Sequence, residues 1–508
     1  MITLTIHQKD QTIRAEAAPG ELVIDILQRE EIPVRTPCGG RGTCGKCRIT
    51  MTQRNNLTGQ METVSHRACL TQVMEDADVW VPDYSSGYAS HHSLSDVHKT
   101  GRIYRAAVDI GTTTLAVQVI DPEGVVVHSV TELSDQEIMG ADVISRIQAA
   151  GEGKRELLTN AVRSQISRMF NGYELQEVVI SGNTTMLHLF LGVDPSSLGT
   201  YPYTPVFTEL KTVTGEEVGL DADTVYILPT VSAFIGADVV CDVLAQDLDK
   251  ESGIMLIDLG TNGEIVLSLN GRIYAASTAA GPCLEGAEIE CGMAGVKGAI
   301  SHVRLAPQAV GYLRPFVSDS PLQMKIIDAD TPEGICGSGL IDVMALLLET
   351  GLIDSNGRFV ETMPDGPAKR IWPLLRTEDG QKRFYLSDDV YFSEKDIHKF
   401  QLAKAAIRSG IDAVLAYAGI SIADVDEVLL AGGLGYFLRT EAAIRCGLIP
   451  SKPSEALEAV GNTSLEGSLK CMEEEYRLSA QRIARSIEVI DLAQDEGFSK
   501  RFIDYLSL

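Results

Sequence analysis

Four cysteines close to the N-terminus have the residue type and spacing of a metal-cluster site. Cys38, Cys44 and Cys47 share one glycine-rich stretch, and Cys69 follows later in the chain. Thiolates of four cysteines are the usual ligands of a [2Fe–2S] cluster. Glycines between the ligands allow the backbone to pass close to the cluster sulfurs and to direct N–H groups at them. The stretch therefore has the features of an electron carrier.

The spacing of the cysteines separates two kinds of metal site. Five residues lie between Cys38 and Cys44, one more than in plant-type ferredoxins and similar to the adrenodoxin type. A four-cysteine zinc site is the main alternative, but zinc motifs usually consist of two close pairs of cysteines. Here Cys69 stands apart from the other three. We therefore predict a [2Fe–2S] cluster bound by Cys38, Cys44, Cys47 and Cys69.

A second candidate site consists of two similar hairpins far apart in the sequence. The run Val108-Asp-Ile-Gly-Thr-Thr-Thr114 resembles Ile257-Asp-Leu-Gly-Thr-Asn262. Glycine lets the backbone approach a phosphate, whose oxygens can bind to N–H groups and Thr hydroxyls. An Asp at the end of the strand can hold Mg²⁺ or orient an attacking water. The repeat predicts a duplicated fold with an ATP site in the cleft between its halves.

Two further glycine turns complete the candidate nucleotide site. The apolar run at 427–431 opens into Gly432 and Gly433, a turn that can accept the flat adenosine moiety. The apolar run at 178–181 ends in Gly182 and Asn183. Each turn alone is equally consistent with an ordinary connection between a strand and a helix. Together with the two hairpins, they resemble the phosphate, connecting and adenosine motifs of the actin and sugar-kinase superfamily.

The elements that must position the cysteines form a small β-rich domain at residues 1–83. Strand-like runs occur at 2–6, 12–15 and 79–81, and a helix with an apolar face is predicted at 22–30. This combination suits a ferredoxin fold. Residues 84–102 follow as a linker that is rich in Ser, Gly and His and lacks periodicity. A flexible tether would let the cluster domain move between an electron donor and an acceptor.

From residue 103 to residue 508, predicted strands and helices alternate, as expected of an α/β domain. Asp109 and Asp258 lie 149 positions apart, which divides this region into halves of roughly 103–250 and 251–508. Ile407, Ile411 and Val414 form an apolar stripe and predict a helix that ends near Gly419. We interpret this helix as part of the core of the second half.

The composition bears on the class of protein. The chain has 508 residues, an ordinary apolar content of 44 % and a net charge of −27, which argues against nucleic acid as a partner. It has no run of about 18 apolar residues and no signal-peptide pattern after Met1. We therefore expect no membrane span and a cytoplasmic location. Ten cysteines in such a protein indicate reduced thiols and metal ligands, not disulfides.

Taken together, the motifs resemble those of the reductive activators of corrinoid proteins. General sugar kinases lack both the ferredoxin domain and the inner glycine motifs, and the resemblance covers nearly the whole chain. Larger members carry an extra domain where this chain has only about 20 residues after Asp83. Besides the cysteine stretch and the two hairpins, the motifs are Gly140-Ala-Asp-Val-Ile-Ser-Arg-Ile147, Ala280-Gly-Pro-Cys-Leu-Glu-Gly286, Gly334-Ile-Cys-Gly-Ser-Gly-Leu-Ile-Asp342, Gln401-Leu-Ala-Lys-Ala-Ala-Ile407 and Ala431-Gly-Gly-Leu-Gly435.

The resemblance implies the fold and the principal site residues. The expected fold is a β-grasp-like [2Fe–2S] ferredoxin domain of the α+β class, followed by a duplicated α/β, actin-like (ribonuclease H-like) ATPase domain. Asp109 is expected to bind Mg²⁺ and Asp258 to orient the attacking water, both as catalytic residues. The implied nucleotide contacts are Gly111, Thr112, Thr113, Thr114, Gly182, Asn183, Gly260, Thr261, Asn262, Gly432 and Gly433.

Four other polar residues are candidates for supporting roles. Glu264 and Asp238 are either outer partners of the magnesium ion or ordinary surface and capping carboxylates. Glu285 and Cys336 are candidate residues of the cleft between the two halves.

The implied activity is the ATP-dependent return of an inactive Co(II) corrinoid to Co(I), with the cluster supplying one electron at a time. The implied partners are a corrinoid methyl-transfer protein, a low-potential donor such as a ferredoxin or flavodoxin, and a second copy of the chain in a homodimer. The alternatives are an electron injector of the dehydratase-activator type, a redox-sensing nucleotide switch, and a small-molecule kinase with a fused cluster.

Overall fold

The computed structural model describes residues 2–8, 11–30, 32, 34, 47–54, 61–81, 92–93, 102–306, 320–432, 438–452 and 456–508. Cys38, Cys44 and Gly433 lie outside these residues. So does the predicted linker apart from residues 92, 93 and 102.

The N-terminal domain is a five-stranded mixed sheet with one helix. Its elements are β1 (Ile2–Gln8), β2 (Gln11–Ala17), α1 (Val23–Arg29), β3 (Arg48–Arg54), β4 (Met61–Arg67) and β5 (Ala77–Trp80), in the sheet order β2-β1-β5-β3-β4. β1 pairs antiparallel with β2 and parallel with β5. The three strands and the helix predicted from the sequence are confirmed, with ends that differ by at most two residues.

The first half of the following region is built on a seven-stranded sheet in the order β11-β12-β10-β7-β8-β9-β6. Its elements are β6 (His92–Ser93), β7 (Tyr104–Ile110), β8 (Thr114–Ile120), β9 (Val126–Leu133), α2 (Val143–Ala149), α3 (Arg155–Met169), β10 (Leu175–Gly182), α4 (Thr184–Leu191), β11 (Lys211–Thr214), α5 (Gly215–Val218), β12 (Ala222–Ile227) and α6 (Ala237–Ala245). β6 belongs to the predicted linker, yet it pairs antiparallel with β9.

The second half is built on a six-stranded sheet in the order β23-β22-β13-β14-β15-β24. Its strands are β13 (Ile254–Leu259), β14 (Gly263–Leu269), β15 (Arg272–Thr278), β16 (Ala299–Leu305), β17 (Leu322–Ile326), β18 (Gly334–Ile335), β19 (Leu375–Glu378), β20 (Gln381–Tyr385), β21 (Tyr391–Ser393), β22 (Glu427–Ala431), β23 (Leu457–Gly461) and β24 (Ile487–Val489). Its helices are α7 (Gly337–Thr350), α8 (Ala368–Ile371), α9 (Glu394–Ala418), α10 (Thr440–Arg445), α11 (Thr463–Lys470), α12 (Glu474–Ser486) and α13 (Phe498–Asp504). Two small sheets, β17-β16-β18 and β19-β20-β21, accompany the main sheet.

The two main sheets repeat the same arrangement. In the first half, β7, β8 and β9 form an antiparallel meander, and β10 and β12 extend it in parallel on the other side of β7. In the second half, β13, β14 and β15 form the meander, and β22 and β23 extend it in parallel from β13. The duplicated α/β fold predicted from the two hairpins is therefore confirmed.

The predicted core helix is confirmed as α9. Its N-cap Ser393 accepts a hydrogen bond from the backbone of Asp396, and the helix ends at Gly419 in the left-handed conformation (φ 72°). Ile407, Ile411 and Val414 are buried in the core of the second half. Because these apolar side chains recur with helical spacing, burying them fixes one face of α9 against the sheet.

One C-terminal helix crosses back onto the first half. α11 follows β23 in the chain, but it packs on α6, β7 and β10. Its Gly467 lies so close to α6 that an added Cβ would be 2.3 Å from the carbonyl oxygen of Cys241. The two halves are therefore joined through a helix pair that no local sequence signal indicated.

Candidate functional site

The loops of the two similar hairpins meet in the cleft between the halves. The β7–β8 loop closes with the pair Ile110 and Leu115, and the β13–β14 loop with Leu259 and Gly263. The Oγ1 atoms of Thr113 and Thr261 are 2.7 Å apart, and both side chains are buried. Two segments separated by 148 positions in sequence thus form one polar site.

Glycines allow the close approaches that this site requires. An added Cβ on Gly111 would lie 2.5 Å from the carbonyl oxygen of Thr114, so the tight β7–β8 loop excludes a side chain. Gly182 at the end of β10 has φ +146°, and its Cβ would be 2.5 Å from the carbonyl oxygen of Ile110. A β-carbon at either position would force the loops apart.

Asn183 connects the end of β10 to the first hairpin. Its Oδ1 accepts the backbone N–H of Met186, which caps α4, and its Nδ2 donates to Thr112 Oγ1 at 2.8 Å. The predicted residues Thr112, Thr113, Gly182 and Asn183 are therefore brought together.

Asp109, at the end of β7, is surrounded by hydroxyl and amide donors. Ser464 Oγ lies 2.8 Å from Asp109 Oδ1, and Asn462 Nδ2 donates to Oδ2 at 3.0 Å. Ser181 contacts Oδ1 more weakly, at 3.4 Å. Burial raises the pKa of Asp109, and these donors oppose the rise because they stabilise the ionised form.

The carboxylates around Asp258 have unusually high proton affinity. Burial, reinforced by the carboxylates of Asp238 and Asp109, raises the pKa of Asp258 to about 8. Burial likewise raises the pKa of Asp238 to about 7. Glu264 lies directly opposite Asp258 on β14, and burial lifts its pKa well above the usual range. So many acidic groups in a buried space require protons or a cation for neutrality.

Gly432 lies against this cluster, which places the candidate adenosine turn beside Asp258. Gly432 has φ +93°, and an added Cβ would be 2.4 Å from Asp258 Oδ1. Its predicted companion Gly433 lies outside the described residues. The candidate adenosine and phosphate turns are thus adjacent at the ends of β22 and β13.

Glu285 lies in the cleft, and Cys336 does not share its contacts. Glu285 Oε2 accepts a hydrogen bond from Thr113 Oγ1 at 2.8 Å and another from Thr261 Oγ1. Cys336 is buried at the start of α7, where its thiol contacts the carbonyl oxygen of Ile300 and the hydroxyl of Ser338.

Arg146 was not singled out from the sequence, although it belongs to one of the quoted motifs. Its guanidinium is fully buried behind the β7–β8 loop, where it donates to the carbonyl oxygens of Thr112 (2.5 Å) and Gly140 (2.9 Å) and to Gln136 Oε1 (3.0 Å). Burial lowers its pKa to about 10. The sequence signal that could have identified Arg146 is its position in the middle of α2, one turn after the N-cap Asp142.

Asn462, Ser464 and Asp242 were also missed. Asn462 and Ser464 lie at the start of α11 and reach Asp109 from the far end of the chain. Asp242 is fully buried on α6 and accepts from Thr463 Oγ1 at 2.5 Å. Because these contacts join residues more than 220 positions apart, no local pattern predicts them.

Two of the four predicted cluster ligands lie within the described residues and come together. The Sγ atoms of Cys47 and Cys69 are 3.2 Å apart and both side chains are buried. The six cysteines assigned to no cluster form no disulfide in the structure, and all but the half-buried Cys291 are buried.

Two features are absent from the described part of the chain. No group of three or more His, Cys, Asp or Glu side chains there is arranged to hold a metal ion. No helix among those same residues is long and apolar enough to cross a membrane.

Three family models match successive parts of the chain. A 2Fe-2S iron-sulfur cluster binding domain matches residues 6–74, and the RACo middle region matches residues 104–251. The C-terminal domain of RACo, described as the ASKHA domain, matches residues 252–508, which is half of the chain.

Relatives and a solved structure agree with these matches. The corrinoid activation enzyme RamQ of Eubacterium limosum is 28 % identical, with 95 % of each chain covered. The [Co(II) methylated amine-specific corrinoid protein] reductase of Methanosarcina barkeri is 25 % identical over 80 % of this chain and 77 % of the relative. A solved structure named as a reductive activator for a corrinoid, iron-sulfur protein covers 100 % of this chain and 98 % of its own, with a TM-score of 0.72 and 24 % identity. The chain therefore belongs to the RACo family of corrinoid reductive activators, with an iron–sulfur domain preceding an ASKHA domain.

Proposed function

We propose that this protein uses ATP to drive one electron from a [2Fe–2S] cluster to the Co(II) of a corrinoid methyl-transfer protein, which regenerates Co(I). The observation that carries this proposal is the meeting of Thr113 and Thr261 at 2.7 Å in a chain that also brings two cluster-type thiols together. The names of the two relatives, an activation enzyme and a Co(II) reductase, support the same activity.

The thiol pair supports the cluster part of the proposal. Cys47 and Cys69, at 3.2 Å, are close enough to bind the same iron atom, and Cys38 and Cys44 would complete the ligand set. The cluster would supply electrons one at a time. Cys47 precedes β3 and Cys69 lies just after β4, so the antiparallel pairing of these strands brings the two thiols together.

The hairpin loops support the ATP part. We assign Gly111 and Thr112–Thr114 to one set of phosphate oxygens and Gly260–Asn262 to the other, because hydroxyls and glycine backbone suit phosphate contacts. Gly182 and Asn183 would support the first loop, and Gly432 and Gly433 would contact adenosine.

The crowded carboxylates fit a magnesium ion bound together with the nucleotide. Mg²⁺ usually keeps several waters and takes one or two carboxylates plus substrate phosphates, so a complete protein cage is not required. We assign Asp109 to this ion and keep Asp258 as the residue that orients water. With its three hydrogen-bond donors, Asp109 is held in one orientation. Asp238 and Glu264 would lie outside the groups that bind the magnesium ion directly.

The same cleft supplies a means of coupling. α6 and α11 link the halves, and loops from both halves would contact the same phosphates, so nucleotide binding should favour the closed form of the cleft. We infer that this change is transmitted to the corrinoid partner. A low-potential ferredoxin or flavodoxin as donor, a cytoplasmic location and a homodimer belong to the same proposal.

The test is made without oxygen, with the reduced full-length protein and a Co(II) corrinoid methyl-transfer protein from the same organism. We expect the absorption spectrum of Co(I) to appear only when Mg²⁺ and ATP are added. Cys47→Ser should abolish the conversion and alter the electron paramagnetic resonance signal of the reduced cluster. Cys291→Ser changes a half-buried thiol outside the cluster and serves as the matched control. Conversion without ATP, or none with several such partners, would contradict the proposal.

A further inference from the structure

Glu285 is the carboxylate that joins the two phosphate loops. Its Oε2 atom lies within hydrogen-bond distance of the hydroxyls of Thr113, on the first hairpin, and Thr261, on the second. The two hydroxyls are also within 2.7 Å of each other, so three oxygen atoms form a closed triangle. Both threonines are buried, and Glu285 is half-buried in the cleft.

Counting protons shows what this triangle requires. Three contacts among three oxygens need three hydrogen atoms, and the hydroxyls of Thr113 and Thr261 supply only two. A proton on Glu285 Oε2, donated to one of the two threonines, would supply the third. Burial raises the pKa of Glu285, which agrees with this count, although the two threonines and Arg146 oppose the rise. Glu285 can therefore hold a proton at the junction of the two loops.

The turn that carries Glu285 is fixed by glycines. Residues 282–285 form a short helical turn between Gly281 (φ 78°) and Gly286 (φ 80°). An added Cβ on Gly286 would lie 2.1 Å from the carbonyl oxygen of Met293, so only glycine fits where the turn packs against this backbone. The close packing positions the turn that carries the carboxylate.

The other cleft carboxylates are placed for different tasks. Asp109 is held by Asn462, Ser464 and Ser181, and these donors stabilise its ionised form. Asp242 is bonded to Thr463, on the α11 side of α6. Among the carboxylates of the described residues, Glu285 is the one that is hydrogen-bonded to hydroxyls of both hairpin loops.

We propose that Glu285 is the base that takes the proton of the water attacking the γ-phosphate of ATP. This inference rests on the proposed ATP hydrolysis and adds a proton acceptor to Asp258, which keeps its proposed role of orienting the water. The water oxygen forms a bond to phosphorus, and the bond from phosphorus to the bridging oxygen breaks. The electron pair of that bond leaves with ADP, and the water proton moves to Glu285 Oε2.

The present arrangement corresponds to the base after it has accepted a proton. Before turnover, Glu285 must therefore ionise, and the γ-phosphate would take over the hydrogen bonds of Thr113 and Thr261. The charged groups that act on Glu285 are Glu137, Arg146 and Asp258, and α9 presents Lys399 and Asp396 to the same turn at Cys283. A base must be ionised to act, so turnover should rise with pH as Glu285 loses its proton.

Glu285→Gln tests the assignment because the amide keeps the shape and the hydrogen-bonding capacity of the side chain but cannot accept the proton. In the full-length protein with Mg²⁺ and ATP, we expect kcat for hydrolysis to fall about 100-fold or more. The dissociation constant of a non-hydrolysable ATP analogue should change by less than about threefold, since uniform binding is retained. The fall of kcat at low pH, which is the acidic limb of the pH profile, should disappear.

Glu288→Gln is the matched control. Glu288 lies three residues later and pairs with Lys399 at 2.5 Å. Within the described part of the chain it makes no hydrogen bond to either hairpin loop. Its kcat and pH profile should equal those of the original protein. Glu285→Asp keeps a carboxylate at a shorter reach and should retain the acidic limb at reduced kcat.

The outcomes separate this inference from the proposed function. Near-normal kcat in Glu285→Gln, or equal loss of hydrolysis and analogue binding, overturns the role of Glu285 and leaves the proposed function standing. If Glu285→Gln is unfolded, which a lower Tm would show, Glu285→Asp becomes the deciding variant. Its kcat must still fall at low pH, or the role of Glu285 is overturned. No ATP hydrolysis by the original protein, even with a corrinoid partner, overturns both.

Discussion

Carboxylates dominate the chemistry of the cleft at the scale of single residues. Glu264 is buried and Asp109, Asp238 and Asp258 are half-buried, and the pKa of each is raised chiefly by loss of solvent. The mutual repulsion of such groups is relieved either by protons or by a cation. The nucleotide-free site should therefore hold protons that magnesium and nucleotide displace.

This balance gives a prediction for the dependence of stability on pH. Asp258 and Asp238, with pKa values of about 8 and about 7, bind protons in the folded chain that the unfolded chain has lost above roughly pH 4. The unfolded state binds fewer protons, so the free energy of unfolding should fall as pH rises from about 4 to 8. In EDTA, we expect Tm to decrease from pH 6 to pH 8.5, and Mg²⁺ with ATP to raise Tm more at pH 8.5.

Asp258→Asn tests whether the fall of Tm with pH comes from the cleft or from the rest of the chain. The amide has no proton to lose, and it removes a charge from its neighbours, so the fall of Tm with pH should become shallower. Asp223→Asn alters an exposed carboxylate that pairs with Arg102 and should leave the slope as it was. Equal slopes in Asp258→Asn and the original protein would show that the cleft does not control this dependence.

Residue patterns predicted the hairpin loops better than they predicted the side chains that hold those loops in place. Asp109, Thr113 and Thr261 stand in runs whose glycine and β-branched neighbours already indicate a strand and a tight turn. Arg146 supports the first loop only after α2 has folded against it, through contacts to Thr112 and Gly140. A buried cation among neutral hydrogen-bond acceptors cannot be recognised from composition.

At the scale of elements, the two hairpins are similar without being identical. The β7–β8 loop has four residues between the paired residues Ile110 and Leu115. The β13–β14 loop has three residues between the paired residues Leu259 and Gly263. Opposite Asp109 stands Ala116, whereas opposite Asp258 stands Glu264. The fold is thus duplicated, while the extra carboxylate lies on the second hairpin alone.

The α6–α11 pair gives a prediction at this scale. Because a Cβ on Gly467 would meet backbone and side-chain atoms of Cys241 at 2.3–2.6 Å, Gly467→Ala should push the two helices apart. We expect overpacking to cost about 1–3 kcal/mol of unfolding free energy. Since Asn462 and Ser464 lie on the same helix, ATP binding should weaken as well. Denaturant unfolding and a nucleotide titration measure the two effects.

Gly295→Ala is the control for this substitution. Gly295 has no heavy atom within 4 Å of an added Cβ, so the change should leave unfolding and nucleotide affinity within experimental error. Unaltered stability in Gly467→Ala would mean that the helices adjust without cost and that the contact does not couple the halves.

At the scale of the whole molecule, the N-terminal domain and the rest of the chain have separate hydrophobic cores. The buried apolar residues of the N-terminal domain all come from residues 2–81, and the two large cores of the remainder come from residue 104 onward. Within the described residues, the iron–sulfur domain therefore has its own hydrophobic core. Separate cores suit two units that carry out separate parts of one reaction.

Removal of residues 1–83 tests this separation. The remaining chain keeps β6 and both main sheets, so we expect cooperative unfolding and ATP hydrolysis within about twofold of the full-length rate. Conversion of Co(II) to Co(I) should be absent, because the thiols that bind the cluster have been removed. The full-length Cys47→Ser protein is the comparison, since it loses a cluster ligand but keeps the domain. Loss of ATP hydrolysis in the shortened chain alone would show that the two ends depend on each other.

The sequence by itself determined the features whose residues are neighbours in the chain. The cysteine stretch, the two Asp-x-Gly-Thr hairpins, the glycine turns and α9 were all predicted, because strand, turn and helix signals act over a few residues. These local patterns were sufficient for the family and the duplicated fold.

Only the tertiary structure decided which side chains meet across the cleft. Asn462 lies 353 positions from Asp109, and Glu285 lies 172 from Thr113, yet each pair is hydrogen-bonded. Such contacts depend on the packing of α11 onto α6 and on the meeting of two hairpins, which are set by burial of extended apolar faces. The raised pKa values follow from the same burial, since loss of water around a charge is a property of the assembled fold.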